Sequence, residues 1–530
     1  MKSIGAFLGA SFAALSLVAA PEEIEDRWVF LPCTFWGHDD AKPHSFAFFT
    51  NTVQRAKNAG YNGVLLTSHM DVMPNWVPYL SNQVIRAKAF CDEIGIEVIP
   101  MVWDVGYGGD CPGNWFESRP ADDLEYVSDG KVARFAPQPV RVDGLTTNLQ
   151  TFVGEEGKSM PMRPSVRFTL KKGTRYLLSV RLRSTGVPEK DKLQFIGFVP
   201  GRKSSAYSFA PAFASDGAWH EIVLPLEGVS DDEVTLVFGH WGRVGKLEVE
   251  NFRVTPRGIC EATRRERIPF VVRDAKSGRI YEEGRDYDEV PGVSKYRGEG
   301  PLTGPWLELT LPRGSRIRRG ARLLVSAEIP YMYPHRKQYS ACMSNPDWYR
   351  RAAKAARAIE EMLHPKKWFL CFDELAVANT CAACRSRNLD MAHLIGDCLR
   401  RQREIVRRIN PEAKCYVWGD MLDPNHNGHE GFIFTRGTYE GIAKCIPPDL
   451  IVCPWWGEKA AIQTEYWKSN GFRIIAGAYY DEKSHKCDKA WKQAALDNPD
   501  TFTGFLYASW KHDFSELEEF ARLMFGKGRK

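Results

Sequence analysis

The sequence predicts an α/β fold: a (β/α)8 TIM barrel split by an inserted β-sandwich domain after strand 3. Three observations predict it. Eight short apolar runs alternate with amphipathic helical segments, as repeated βα units do in a closed parallel barrel. Between the third run and the fourth, helical periodicity gives way to short alternating strands, the pattern of a sandwich. The chain has 530 residues, against about 250 for a barrel alone, so an insertion is needed to use the length.

The first half of the barrel is expected over 21–119. WVFLPCTFW at 28–36 is the first strand. A helix over 44–59 follows, with Phe46, Phe49, Val53 and Ala56 on one face. GVLLTS at 63–68 is the second strand, and a helix over 82–94 carries Val84, Ala87, Cys91 and Ile94 on one side. IEVIPMVW at 96–103 is the third strand. Residues 120–258, with RYLLSVRLRS, WHEIVLPL, VTLVFGH and KLEVENFRV between Gly, Asp and Pro turns, form the sandwich. Residues 259–335 read as a smaller β-rich extension returning to the barrel. RLLVSAEI at 322–329 would be a ninth strand and is assigned to that extension.

The second half of the barrel is expected over 336–530. A helix spans 346–363, and KWFLCF at 367–372 is the fourth strand. A long helix over 386–409 puts Met391, Ile395, Cys398, Ile405 and Ile409 on its apolar side. The remaining strands are 414–419, 450–455, 473–480 and 504–510, with helices over 436–445, 459–470, 486–496 and 514–525. The rival is a doubly wound open sheet, but no glycine-rich phosphate loop follows the first strand.

Residues 1–20 place Lys2 before an apolar stretch that closes on Ala19 and Ala20, a signal-peptide pattern. Export, periplasmic or extracellular, with cleavage near Ala20 is therefore expected, and no later segment is long and apolar enough to span a bilayer. Hydrophobic residues at 44% exclude disorder of the whole chain. The 71 basic and 66 acidic residues nearly balance and form no basic tail, which argues against nucleic acid as a partner. Aromatic residues make up 12%, which suits a sugar-binding cleft as well as a core.

The 13 cysteines are an odd number in a chain expected to be exported, so at least one is free or pairs between chains. Cys381 and Cys384 form a CxxC, but no second such pair completes a zinc site. A local disulfide or plain thiols are expected there, with a redox site least favoured. Asp423, His426 and His429 lie close in sequence, which allows a metal cluster, but a solvated loop is the favoured reading. No metal or organic cofactor is expected.

A barrel keeps its chemistry at the C-terminal ends of its strands. Those ends carry Trp36, His38 and Asp39; His69 and Asp71; Asp104 and Tyr107; Asp373 and Glu374; Trp418 and Asp420; Trp455 and Trp456; Tyr479, Tyr480, Asp481 and Glu482; and Trp510. A tryptophan at a strand end is more often core than ligand platform, but carboxylates and aromatics recurring around one rim suit a carbohydrate site. Flat rings pack on the apolar face of a sugar and carboxylates accept its hydroxyl hydrogens. Asp373–Glu374 is the sharpest feature. Adjacent residues of a regular strand face opposite ways, so both acids reach a cleft only if the strand has just ended. One acid capping the next helix is the plainer alternative. Against it, two charges directly after WFLCF are costly unless used or paired.

On these residues the chain resembles, remotely, the family 20 glycoside hydrolases, the β-N-acetylhexosaminidases. FDE at 372–374 is similar to that family's catalytic pair at the end of strand 4, and IEVIPMVWD at 96–104 to its strand 3. WGD at 418–420, AYYD at 478–481 and SW at 509–510 are similar to its later strand ends. The sequence departs from the family in three places. No arginine ends strand 1, Gly106–Tyr107 stands where Gly-His is usual, and Lys511–His512–Asp513 replaces a glutamate after the last tryptophan.

The resemblance implies hydrolysis of terminal β-linked N-acetylhexosamine from an oligosaccharide or glycan by substrate-assisted retention. Glu374 would be the general acid/base and Asp373 would orient the 2-acetamido group. Tyr480 or Tyr479 would donate to the acetamido oxygen, Trp418, Trp456 and Trp510 would wall the pocket, and Asp104, Asp420, Trp455 and Asp481 would add substrate contacts. Two alternatives stand beside it: a conventional retaining glycosidase with Glu374 as acid and Glu482 as nucleophile, and a glycan-binding barrel without catalysis. The sandwich resembles carbohydrate-binding modules in strand pattern, with Trp219 and Trp241 as platforms or as core. The returning segment with Tyr331, Tyr333 and His335 is expected to help shape the cleft.

Overall fold

The computed structural model describes residues 24–32, 45–67, 78–107, 115–145, 148–154, 164–172, 174–201, 205–228, 231–240, 244–293, 303–333 and 338–526. Residues 1–20, expected to be a signal peptide, and Trp36, His38, Asp39, His69, Asp71, Trp241 and His335 lie outside these residues. No described helix is long and apolar enough to cross a membrane.

Eight parallel strands close into a barrel: β1 Asp26–Pro32, β2 Gly63–Thr67, β3 Glu97–Val102, β4 Lys367–Leu370, β5 Lys414–Trp418, β6 Ile451–Cys453, β7 Ile474–Tyr479 and β8 Phe502–Ala508. The two-residue period of a strand sorts their side chains into two cores. Trp28, Phe30, Leu65, Ile99, Met101, Phe369, Tyr416, Ile475 and Leu506 fill the lumen with their neighbours. Their alternates, including Val29, Leu31, Val64, Val98, Trp368, Val417, Ala476 and Phe505, pack outward under the helices. Strands buried on both faces must be apolar at every position, as these runs are. At the N-terminal end of the barrel, buried Asp26 accepts from Lys367 Nζ at 2.9 Å and from the Tyr416 hydroxyl at 2.9 Å. Closure of β8 onto β1 needs Gly504, because a Cβ there would lie 1.7 Å from the Asp26 carbonyl oxygen.

The outer helices start where short polar side chains cap them. Ser45 accepts from Phe48 N before helix Phe46–Asn58, and Asn345 from Asp347 N before Pro346–Leu363. The helix expected at 386–409 starts later, as Met391–Ile409 capped by Asp390, and a separate short helix, Ala382–Arg385, precedes it. The one expected at 436–445 is only Ile442–Cys445. Gly437 and Gly441 take left-handed φ of 113° and 73° there, and a left-handed residue breaks a right-handed helix.

The insertion leaves after β3 and returns before β4. Two four-stranded antiparallel sheets, ordered 207–209, 193–198, 233–240, 165–169 and 220–227, 175–185, 246–256, 150–153, make the sandwich. Val166, Phe195, Phe238, Leu178, Leu182 and Val254 are among its core. Ser118–Ser128 and Val132–Phe135 fall within the stretch read as sandwich, but they belong to a separate six-stranded sheet. Ser118–Ser128 pairs antiparallel with Arg322–Pro330, so the strand that competed for a place in the barrel joins the entry of the insertion to its exit.

Candidate active site

The C-terminal rim of the barrel is built by backbone that turns sharply as the strands end. After β4 the chain runs irregularly through Cys371–Asp373, and Glu374 takes a left-handed φ of 41°. That conformation is costly for a residue with a Cβ, and its neighbours hold it. Glu374 N donates to Asp420 Oδ2 at 2.9 Å. Gln338 Nε2 donates to Glu374 O at 2.8 Å and to Gly106 O at 3.0 Å. Gly106 is required, since a Cβ there would sit 1.9 Å from Asp373 O. The Tyr107 hydroxyl donates to Glu374 Oε2. Asp373, 8% exposed, accepts from Cys371 Sγ at 3.1 Å and lies with Cys371 beside Asp104. Asp104 closes its own turn by accepting from Tyr107 N at 2.7 Å.

Asp420 opens the loop after β5 and is 0% exposed. Its Oδ2 also accepts from Asn427 Nδ2 at 2.9 Å, while its Oδ1 has no hydrogen-bond partner. Burial and then the charge of Asp373 push this carboxyl up to about 7. Two carboxyls sharing one dry site resist double ionisation. Asp420, expected to bind substrate, thus anchors the Glu374 backbone from beneath.

After β7, Tyr479, Tyr480 and Asp481 all take left-handed φ, of 67°, 44° and 60°. The run turns two tyrosines to opposite sides. Tyr480 joins the lumen side and stacks on Trp455 with centroids 4.9 Å apart and planes 5° apart. Burial, then the Asp373 charge, holds its hydroxyl well above the ordinary tyrosine value, so it remains a donor. Tyr479 instead packs outward on Tyr507 at 4.2 Å and is not part of the rim. Asp481 accepts from Ser509 Oγ at 2.6 Å and from the backbone of Trp510 and Lys511, so it ties β7 to the loop that carries Trp510. Trp510, 41% exposed, stands edge-on to Phe30 at 4.8 Å.

Trp418 is a floor rather than a wall. It is 1% exposed and edge-packed on Phe369 and Phe30. Trp455 and Trp456 are half-buried around the His426 ring, at 4.2 and 4.9 Å. Burial drops that imidazole to about 4, so it is neutral. Asp423, His426 and His429 do not gather as a metal-ligand group among the described residues. Glu482 accepts from Cys487 N at 3.1 Å, at the start of helix Lys486–Asp497.

The returning segment reaches the rim. Gln338 buttresses Glu374, and Tyr331 and Tyr333 pack on Phe434 in the loop between β5 and β6. Trp219, on the sandwich, lies under Arg181 and Arg183 at 5.2 and 4.9 Å and is half-buried. Gln338 has no motif to mark it. Tyr107 was visible at the end of the third strand, but its bond to Glu374 depends on a turn that spacing does not reveal.

No protein-family model matches the chain, and no curated protein matches it in sequence. Among solved structures it is similar to a β-N-acetylhexosaminidase from Bacteroides fragilis at 16% identity, over 36% of this chain and 42% of that one, with a TM-score of 0.25. It is also similar to the family 20 β-N-acetylhexosaminidase of Streptomyces coelicolor at 11% identity, over 35% and 38%, TM-score 0.24. A family 4 carbohydrate-binding module is similar at 12% identity over 22% and 78%, TM-score 0.18. The chain spans under half the length of the hexosaminidase structures it matches.

Two outcomes follow from this geometry. Gln338→Ala removes the donor that the Glu374 and Gly106 carbonyls share, leaving Ser340 Oγ on Gly106 O at 3.0 Å, and is expected to cost about 1–3 kcal/mol in denaturant unfolding; an unchanged midpoint would contradict the buttress. For Asp420 the folded-state carboxyl, at about 7, holds a proton that the unfolded chain, at the ordinary 3.8, releases earlier. Between those values the folded state binds more protons, so this group makes stability fall as pH rises. Asp420→Asn is therefore expected to show a smaller drop in thermal midpoint than the parent between about pH 5 and about pH 8. An equal drop in both would contradict the assignment.

Proposed function

We propose that the chain is an exported glycoside hydrolase that removes terminal β-linked N-acetylhexosamine from glycans by a substrate-assisted retaining mechanism. The observation that carries the reading is the pairing of two adjacent carboxylates, Asp373 and Glu374, at one barrel rim, where other strand ends carry the stacked rings of Trp455 and Tyr480 and the exposed Trp510. The family resemblance of FDE, WGD and AYYD gives the pair its roles.

In this mechanism the substrate's own acetamido oxygen attacks the anomeric carbon. The bond to the leaving oxygen breaks as Glu374 gives that oxygen its proton. Asp373 accepts from the acetamido N–H and offsets the positive charge of the oxazolinium that forms. Tyr480 stays protonated, so it donates to the acetamido oxygen and aligns it. Water then attacks the anomeric carbon, Glu374 takes its proton, and the acetamido group is released with the original configuration retained. The Tyr107 hydroxyl and the Asp420-held backbone fix Glu374 against rotation, which matters because a small misplacement of an acid costs rate steeply. A protein-borne nucleophile is not needed in this mechanism.

The test is hydrolysis of aryl β-glycosides with and without a 2-acetamido group. The N-acetylhexosaminide is expected to be cleaved and its 2-hydroxy counterpart not. Glu374→Gln is expected to lower kcat by about 10²–10⁴-fold. Equal turnover of both substrates, or full activity in Glu374→Gln, would reject the mechanism.

A further inference from the structure

Away from the rim, where the insertion is rooted, four acidic donors meet inside the protein. Glu117 lies just before Ser118–Ser128, the first strand of the insertion, and Cys342 just after its return. Cys381 caps, and Cys384 lies within, the short helix Ala382–Arg385 in the loop that follows Glu374. All four residues are buried, and one donor atom from each lies within 4.8 Å of the others.

The distances fit a tetrahedral ion. Cys342 Sγ is 3.5 Å from Cys381 Sγ and 3.6 Å from Cys384 Sγ, and Cys384 Sγ is 3.5 Å from Glu117 Oε2. With zinc–sulfur bonds of about 2.3 Å and zinc–oxygen bonds of about 2.0–2.2 Å, tetrahedral angles put sulfurs about 3.8 Å apart and sulfur about 3.5–3.7 Å from oxygen. A disulfide needs sulfurs at about 2.0 Å. It would also join only one of the two thiols that Cys342 faces.

The surroundings orient the donors as a metal site requires. Glu117 Oε1 accepts from Thr380 N at 2.6 Å, Cys381 N at 2.8 Å and Thr380 Oγ1 at 3.1 Å. Those bonds fix the carboxylate with Oε2 toward the sulfurs. Cys384 N donates to Cys381 Sγ at 3.3 Å, a bond that favours the thiolate. The Arg265 guanidinium, whose Nη1 donates to Phe116 O at 2.7 Å, interacts electrostatically with Cys342, Cys381 and Glu117. Three thiolates and a carboxylate would leave a divalent ion's site with a net negative charge, and this guanidinium offsets part of it.

We propose that Glu117, Cys342, Cys381 and Cys384 form a structural zinc site. Thiolate-rich tetrahedral donors select zinc among common divalent ions. Four buried protein ligands leave no open position for a substrate, which makes the site structural rather than catalytic. Its effect is mechanical: it fastens both ends of the insertion to the loop behind Asp373–Glu374. The CxxC found in the sequence thus acquires its partners from residues distant along the chain.

Metal analysis of the full chain, purified and then incubated with Zn2+ and desalted, tests the proposal. About one zinc per chain is expected. With Co2+ in its place, the chain is expected to show thiolate-to-cobalt charge-transfer absorption and the intense visible bands of tetrahedral cobalt. Stripping the metal with a strong chelator should lower the thermal midpoint, and Zn2+ alone should restore it. Cys342→Ser should lose the metal; if that variant fails to fold, the chelation and restoration on the unaltered chain decide. A chain that takes up no stoichiometric zinc, or a disulfide joining Cys342 to Cys381 or Cys384, would overturn the site. Neither result depends on whether the rim cleaves a glycan.

Discussion

The left-handed turn at Glu374 is the constraint on which the rim depends. A regular strand sends neighbouring side chains to opposite faces, so Asp373 and Glu374 share one end of the lumen only because β4 stops at Leu370 and the backbone inverts at φ 41°. Four residues on three separate segments hold that inversion. Gly106 after β3 allows the close approach, Tyr107 takes the carboxylate, Asp420 after β5 takes the amide, and Gln338 takes the carbonyl. A strained conformation persists when its surroundings over-determine it.

This arrangement gives the insertion a mechanical purpose. Gln338 belongs to its returning end, and its root docks on the loop behind Asp373–Glu374. Thr380 Oγ1 donates to Ser118 O at 2.7 Å, and Ala382 N and Arg385 donate to Glu328 at 2.6 and 3.0 Å. The six-stranded sheet, by pairing the entering strand with the leaving one, keeps both ends of the insertion at the same place on the barrel. The Glu117–Cys342–Cys381–Cys384 cluster sits at that junction, so a metal there and the bonds to the rim would restrain the same loop.

Local signals made most of the barrel legible in the sequence. Strands such as Val64–Leu66 and Ile474–Ala478 are apolar on both faces, and Ser45, Asn345 and Asp390 cap their helices within a few residues. The Asp373–Glu374 pair was visible because two acids after an apolar run demand an explanation. Non-local features were not legible. Ser118–Ser128 has the alternation of a sandwich strand, and only its partner, Arg322–Pro330, shows that it is not one. The same holds within the site. Tyr479 and Tyr480 are indistinguishable by type and position, and only the run of left-handed residues decides that Tyr480 faces the carboxylates. Asp420 and Asp481, read as substrate contacts, also hold backbone amides of neighbouring loops, a role that a carboxylate at a strand end does not reveal in sequence.

The most direct test is a crystal structure of the chain bound to a thiazoline mimic of the oxazoline intermediate. The account predicts the bicyclic ring over the lumen, its nitrogen within about 2.6–3.2 Å of an Asp373 oxygen. The Tyr480 hydroxyl should lie close by, and the Glu374 carboxyl should face the anomeric carbon from the leaving-group side. A thiazoline that does not bind, or that binds away from Asp373 and Glu374, would contradict it.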